Sequence, residues 1–163
     1  LIPVLTSLFD HIGENSYGSV QLLGEIQLAA YRIFNTVYFL GASKSIFTEA
    51  NRPALGACLA AFSSAFPVAF LEHEYNTINK DCIFADNEQI AKLGLPSSAQ
   101  EIWPDMPTFQ QLVDQITQLA NSESAYEEAP HIIEVILPML CSYLSLWWDH
   151  GPSNMANKGV AEE

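Results

Sequence analysis

Apolar residues return at helical intervals from the very start of the chain. Ile2, Leu5, Leu8, Phe9 and Ile12 fall at steps of one, three and four, the spacing at which side chains share one face of an α-helix. This predicts an opening helix that ends near Gly13. Between Gly13 and Gly18, Asn15 and Ser16 supply turn chemistry. A long helix is expected next, from about Ser19 to Leu40. Leu23, Ile26, Ala30, Ile33, Val37 and Leu40 form its stripe, and Leu22, Ala29 and Phe34 widen it. A helix apolar over so much of its circumference is buried on more than one side. It reads as a middle layer.

Gly41 closes that helix, and Ser43 to Arg52 reads as a connector with a short helical turn. Pro53 suits the first position of the following helix, where the missing N–H is not needed. Leu55, Leu59, Phe62 and Phe66 then repeat at four, three and four, and Gly56, Ala57, Ala60 and Ala61 between them allow a neighbouring helix to come close. Pro67 should break or kink this helix. Residues 72–107, with Gly94, Pro96, Pro104 and Pro107, read as a long irregular connection holding short helices. Thr108 is placed as the N-cap of an amphipathic helix. Phe109, Leu112, Val113, Ile116 and Leu119 lie on its dry side, and Gln110, Gln111, Asp114, Gln115 and Gln118 on its wet side. After an acidic turn from Asn121 to Ala129, a last helix is expected from Pro130 to about Trp148. Pro138 should kink it and Gly151-Pro152 should stop it.

No stretch alternates with the period of two that a half-buried strand requires. The predicted fold class is therefore all-α, with stacked antiparallel helix pairs. Helices apolar on two sides suit part of an armadillo- or HEAT-like α-solenoid better than a closed bundle. Residues 1–152 make that segment, with 72–107 as its irregular connection, and 153–163 make a polar tail.

Composition narrows the function classes. The chain has 6 Lys plus Arg against 19 Asp plus Glu, a net charge of −13. Nucleic acid needs clustered cations against its phosphates, and Arg32, Lys44, Arg52, Lys80, Lys92 and Lys158 are scattered. An anionic leaflet repels the same surface. The most apolar runs, Ala65 to Leu71 and Ile132 to Leu146, are too short or too interrupted to span a bilayer, so direct membrane insertion of this segment is not expected. The chain opens on Leu1 with no signal peptide, which reads as a fragment boundary. Cys58, Cys82 and Cys141 are widely separated and no Cys-x-x-Cys occurs. They read as reduced cytosolic thiols, with one disulfide left open.

Candidate chemistry is sparse. Glu72-His73-Glu74 has no second histidine at a ligand spacing, and adjacent helical residues point apart. His131 and Glu134 are three apart but form only one copy of a pair that di-iron bundles need twice. The expected role of Glu134 is to complement the helix dipole beside a partly exposed histidine. Gly41-Ala42-Ser43-Lys44-Ser45 lacks the second glycine of a nucleophile elbow. Gly13 and Gly18 are followed by no Gly-Lys-Ser/Thr, and Asp86-Asn87-Glu88 is too short for a calcium loop. Trp147-Trp148 reads as a cap on the core and on a neighbouring layer. No catalytic, cofactor-binding or metal-ligating residue is assigned, and the chain is expected not to be an enzyme.

Two stretches carry a resemblance. One is Pro130-His131-Ile132-Ile133-Glu134-Val135-Ile136-Leu137-Pro138-Met139-Leu140-Cys141, continuing through Ser142-Tyr143-Leu144-Ser145-Leu146-Trp147-Trp148 to Gly151-Pro152. The other is Arg52-Pro53-Ala54-Leu55-Gly56, with Pro67-Val68-Ala69-Phe70-Leu71-Glu72 downstream, and the opening Val4-Leu5-Thr6-Ser7-Leu8-Phe9 fits the same order. Together they resemble the ryanodine receptor family of intracellular calcium-release channels. The match is weakest from about Asn76 to Gln100, a divergence that points to an invertebrate member.

The resemblance implies a homotetrameric channel of the sarcoplasmic or endoplasmic reticulum. This segment would belong to its cytosolic bridging solenoid, ahead of the calcium-sensing core and the pore. Its partners would be other domains of the same polypeptide, with calmodulin bound nearby. It would relay conformational change between peripheral regulatory domains and the channel core. No site residue of the family is carried over, because none matches here. The rival reading is a free-standing helical adaptor that binds a peptide or partner protein.

Overall fold

The computed structural model describes residues 1–20, 25–66, 91, 107–122 and 129–150, with backbone alone at 19, 20, 25 and 146–150. The described residues are helical and contain no strand. In chain order they form α1 (Ile2–Glu14), α2 (Tyr17–Val20), α3 (Glu25–Ala42), α4 (Ile46–Glu49), α5 (Arg52–Ala65), α6 (Phe109–Asn121), a π-helical turn (Ile132–Ile136) and α7 (Leu137–His150).

α5 is the organising element, and the reason lies in its two faces. Leu55, Leu59, Phe62 and Phe66 are all at most 4% exposed, so the expected stripe is the one that packs. Phe62 meets Phe9 of α1 at 5.3 Å edge-on and Phe34 of α3 at 4.5 Å. Tyr31 lies 5.7 Å from the same ring. One aromatic thus joins three helices, with ring spacings in the favourable range.

A flank of α5 beside that stripe takes the π turn. A Cβ on Gly56 would stand 1.7 Å from the carbonyl oxygen of Glu134, so only a glycine allows that approach. Of the small residues expected to permit close packing, Gly56 and Ala61 are buried, whereas Ala57 is exposed.

The irregularity expected at Pro138 takes a specific form. Pro138 has no N–H to give the Glu134 carbonyl, the ordinary partner four residues back. The backbone answers with a widened turn just upstream, where the Leu137 N–H donates to the Ile132 carbonyl five residues back. The carbonyl that proline leaves without its usual donor is the one packed on Gly56. A π turn therefore directly precedes the proline that was expected to kink this helix.

Two boundaries differ from expectation. Gly13 and Gly18 lie inside α1 and α2, and the turn between these helices is Asn15-Ser16, with Ser16 at a positive φ of 55°. Gly18 is required by packing, since a Cβ there would stand 1.9 Å from the Ala65 carbonyl oxygen. The helix expected to begin at Ser19 is preceded by helical residues from Tyr17 in α2, and its run from Glu25 onward is α3, with 21–24 outside the described residues. Pro67, most of 72–107 and the tail 153–163 also lie outside them. Thr108 caps α6 as expected. Its hydroxyl accepts from the Gln111 N–H at 3.3 Å, and the Gln111 side chain accepts from the Thr108 N–H at 2.8 Å.

Candidate interaction surface

α3 presents two apolar faces, and the core takes one that overlaps the expected stripe only in part. Leu28, Tyr31, Phe34 and Tyr38 are buried with Ala30 and Val37. Ile26, Ile33 and Leu40 are 52%, 37% and 48% exposed. The expected stripe was therefore split. Its Ala30 and Val37 face inward, while Ile26, Ile33 and Leu40 face out and Leu23 lies outside the described residues. The physical reason is that α5 offers the Phe62 ring, and the aromatic side of α3 fits it better than an aliphatic side does. The expectation that α3 is apolar on more than one side holds.

The outward aliphatics of α3 lie beside those of α1. Leu1, Val4 and Leu8 of that region are 90%, 69% and 51% exposed. Between the two helices runs a groove of about 420 Å³ walled by Leu1, Ile2 and Leu5 on one side and by Ile33, Val37 and Leu40 on the other. Arg32 and Thr36 complete the lining. Among the described residues the Arg32 guanidinium has no carboxylate within ion-pair distance.

A second apolar feature projects from the α3–α5 connection. Ile46 and Phe47 are 82% and 87% exposed, yet the turn that carries them is tied down. The Ser43 and Thr48 hydroxyls are 2.9 Å apart, the Thr48 N–H donates to the Ser45 carbonyl at 2.9 Å, and the Asn51 amide donates to the Phe47 carbonyl at 2.9 Å. A turn whose backbone is already fixed spares a partner the cost of ordering it on contact.

Arg52 anchors this region. It is 4% exposed, and its Nε donates to the Gly41 carbonyl at 3.1 Å and its Nη2 to the Ser43 carbonyl at 3.2 Å. These are carbonyls at and just beyond the C-terminal end of α3, where a helix runs out of donors and its dipole favours a cation. Nη1 lies 3.6 Å from Glu134 Oε2, an ion pair a little longer than a tight hydrogen bond. One buried cation thereby ties α3, α5 and the π turn together. Among six scattered basic residues nothing in the sequence singled Arg52 out, because its partners lie on other elements.

Glu134 was expected to complement the helix dipole; it lies in the first turn of the π-helical stretch and is also the ion-pair partner of Arg52. His131 is half-buried beside it, and its pKa is lowered by burial and then by the positive charges of Arg52 and Lys44. A shallow polar cleft of about 330 Å³ between α6 and the π turn is lined by His131, Gln115, Gln118 and Ser122 among others. Cys58 is buried and its thiol pKa is raised by that burial, opposed by a hydrogen bond with Thr6, whereas Cys141 is exposed. Gly41 to Ser43 serves as the acceptor site for Arg52.

Glu72-His73-Glu74, Asp86-Asn87-Glu88 and Cys82 lie outside the described residues, as do the side chains of Trp147 and Trp148. Among the described residues no three His, Cys, Asp or Glu side chains are placed to share a metal ion, and no helix is long and apolar enough to cross a membrane. The chain matches none of the models of known protein families.

Proposed function

We propose that the chain is a scaffold segment of the cytosolic mass of a ryanodine-sensitive calcium-release channel. In this reading it is one stretch of a helical solenoid in a homotetrameric reticulum channel, and it relays conformational change between peripheral regulatory domains and the channel core. It performs no catalysis of its own.

The observation that supports this most is the outward apolar surface of α1, α3 and the Ile46-Phe47 turn. Exposed apolar surface of this kind marks a place where other protein covers it, and in a stacked helical array each unit's core is completed by its neighbours. The resemblance of Pro130 to Trp148 and of Arg52 to Gly56 to the ryanodine receptor family is what suggests such a parent. Mechanically, Arg52 and the Gly56 contact lock α3, α5 and the π turn into one body, so a displacement at the α3 side would move the π turn with it.

The second reading, a free-standing adaptor, is favoured by the α1–α3 groove, whose two helical walls suit a helical ligand. The transcript that carries this sequence separates the two. A reading frame of several thousand residues with pore helices near its end supports the channel segment. A short frame that closes soon after Glu163 contradicts it.

A further inference from the structure

The α1–α3 groove has both a shape and a charge, and together they specify an occupant. Of the outward aliphatics Ile26, Ile33 and Leu40, spaced by seven residues or two turns, the last two line the groove. Its α3 wall, from Arg32 to Leu40, runs about 12 Å along the helix. A seven-residue repeat of outward aliphatics is the pattern by which one helix receives another lengthwise, since two turns later the same face is presented. On the far wall, Leu1 and Leu5 are one turn apart and give the matching ridge. The shape is that of a trough between two helices, open along its length.

Arg32 gives the charge. It lines the trough within a wall that is otherwise aliphatic save for Thr36, and no described carboxylate neutralises it. A guanidinium beside apolar surface is best met by a carboxylate in bidentate geometry. A second copy of this chain is a poor occupant, because each carries a net charge of −13 and like-charged surfaces repel. The same excess requires that the true occupant be neutral or basic away from the one carboxylate.

We infer that the α1–α3 groove is a docking site for an amphipathic helix of another protein segment. That helix has one aliphatic edge and a single carboxylate set against Arg32, and it is otherwise neutral or basic. The inference rests on the scaffold reading only in taking the groove as a surface that is normally covered. A chain shown to belong to a channel, but indifferent to every such helix, would leave that reading intact and sink this one.

The test uses stapled synthetic peptides of roughly 14 residues, long enough to cover the trough with most of a turn beyond it at each end. Leucines occupy the inward edge, one glutamate faces Arg32, and alanine, glutamine and lysine fill the rest. Binding is read by fluorescence anisotropy at about 0.15 M salt, where long-range repulsion is screened. The glutamate peptide should bind the wild-type chain, and its Glu→Lys version should bind about tenfold more weakly, one charge pair's worth.

Arg32→Glu should reverse that preference, and Ile33→Glu should abolish binding of both peptides while the helical dichroism is unchanged. Ile33 is partly exposed, so this substitution leaves the core untouched. Three outcomes overturn the inference. One is no saturable binding of any peptide. Another is a preference that Arg32→Glu does not change. The third is a chain that sediments as a dimer and becomes monomeric on Ile33→Glu, which makes a second copy the occupant.

Discussion

Replacing Gly56 with alanine puts the central packing contact under direct stress. The new methyl carbon would lie 1.7 Å from the Glu134 carbonyl oxygen and 2.9 Å from its carbon. Both are backbone atoms, so no side chain can rotate out of the way, and α5 and the π turn must separate. Forced overpacking of a core costs typically 1–3 kcal/mol, and a backbone obstacle belongs at about 3 kcal/mol. Alanine returns about 1 kcal/mol of helix propensity, so the net loss should be about 2 kcal/mol. Gly13→Ala is the internal control, since its Cβ would meet nothing nearer than 3.4 Å. The same chemical change there should stabilise by about 0.5 kcal/mol, the low end for a glycine near a helix terminus. Urea denaturation of both variants gives the comparison, with midpoints that move in opposite directions and slopes that stay the same. A Gly56→Ala protein as stable as Gly13→Ala would refute the close approach of α5 to the π turn.

Three further outcomes follow from the same geometry. Glu134→Ala should destabilise by about 3 kcal/mol, because Arg52 is left buried with only carbonyls for partners, and replacing both residues by Leu and Met should cost less than the single change; denaturation of the single and double variants measures the difference. Thr108→Ala removes the capping box of α6 and should cost about 1 kcal/mol, with amide exchange accelerated in the first turn of that helix alone. His131 should titrate by NMR below the ordinary imidazole value of 6.5. The unfolded chain then binds more protons than the folded one between the two values, so stability falls as pH drops through that window, and His131→Gln removes this part of the slope.

How far the sequence could be read depends on whether its signals were local. The Thr108 cap and the wet and dry sides of α6 are decided within a few residues, and both were legible. So was the stripe of Leu55, Leu59, Phe62 and Phe66, because the rest of α5 is too small to compete with it. The face of α3 was not legible, since Ile26, Ile33 and Leu40 rival Tyr31, Phe34 and Tyr38 in hydrophobicity. The choice between them is made by Phe62, on another helix. Pro138 announced an irregular turn, but the form it takes depends on Gly56, whose missing side chain leaves room for the Glu134 carbonyl. The burial of Arg52 required knowing where the end of α3 comes to rest. The groove follows from the same long-range decisions, which is why no motif pointed to it.

The central claim is that the outward apolar surface is covered by other parts of a larger protein. It is tested most directly by placing a photo-crosslinking side chain at Ile33, at Phe47 and, as a control, at the exposed Gln110 on the wet side of α6, in the full-length protein that carries this sequence. After irradiation, mass spectrometry maps what each position touches. Crosslinks from Ile33 and Phe47 to defined helical segments elsewhere in the same polypeptide, with none from Gln110, are the predicted result. Positions 33 and 47 that stay as free of crosslinks as position 110 would contradict the account, since the surface would then face water in the intact protein.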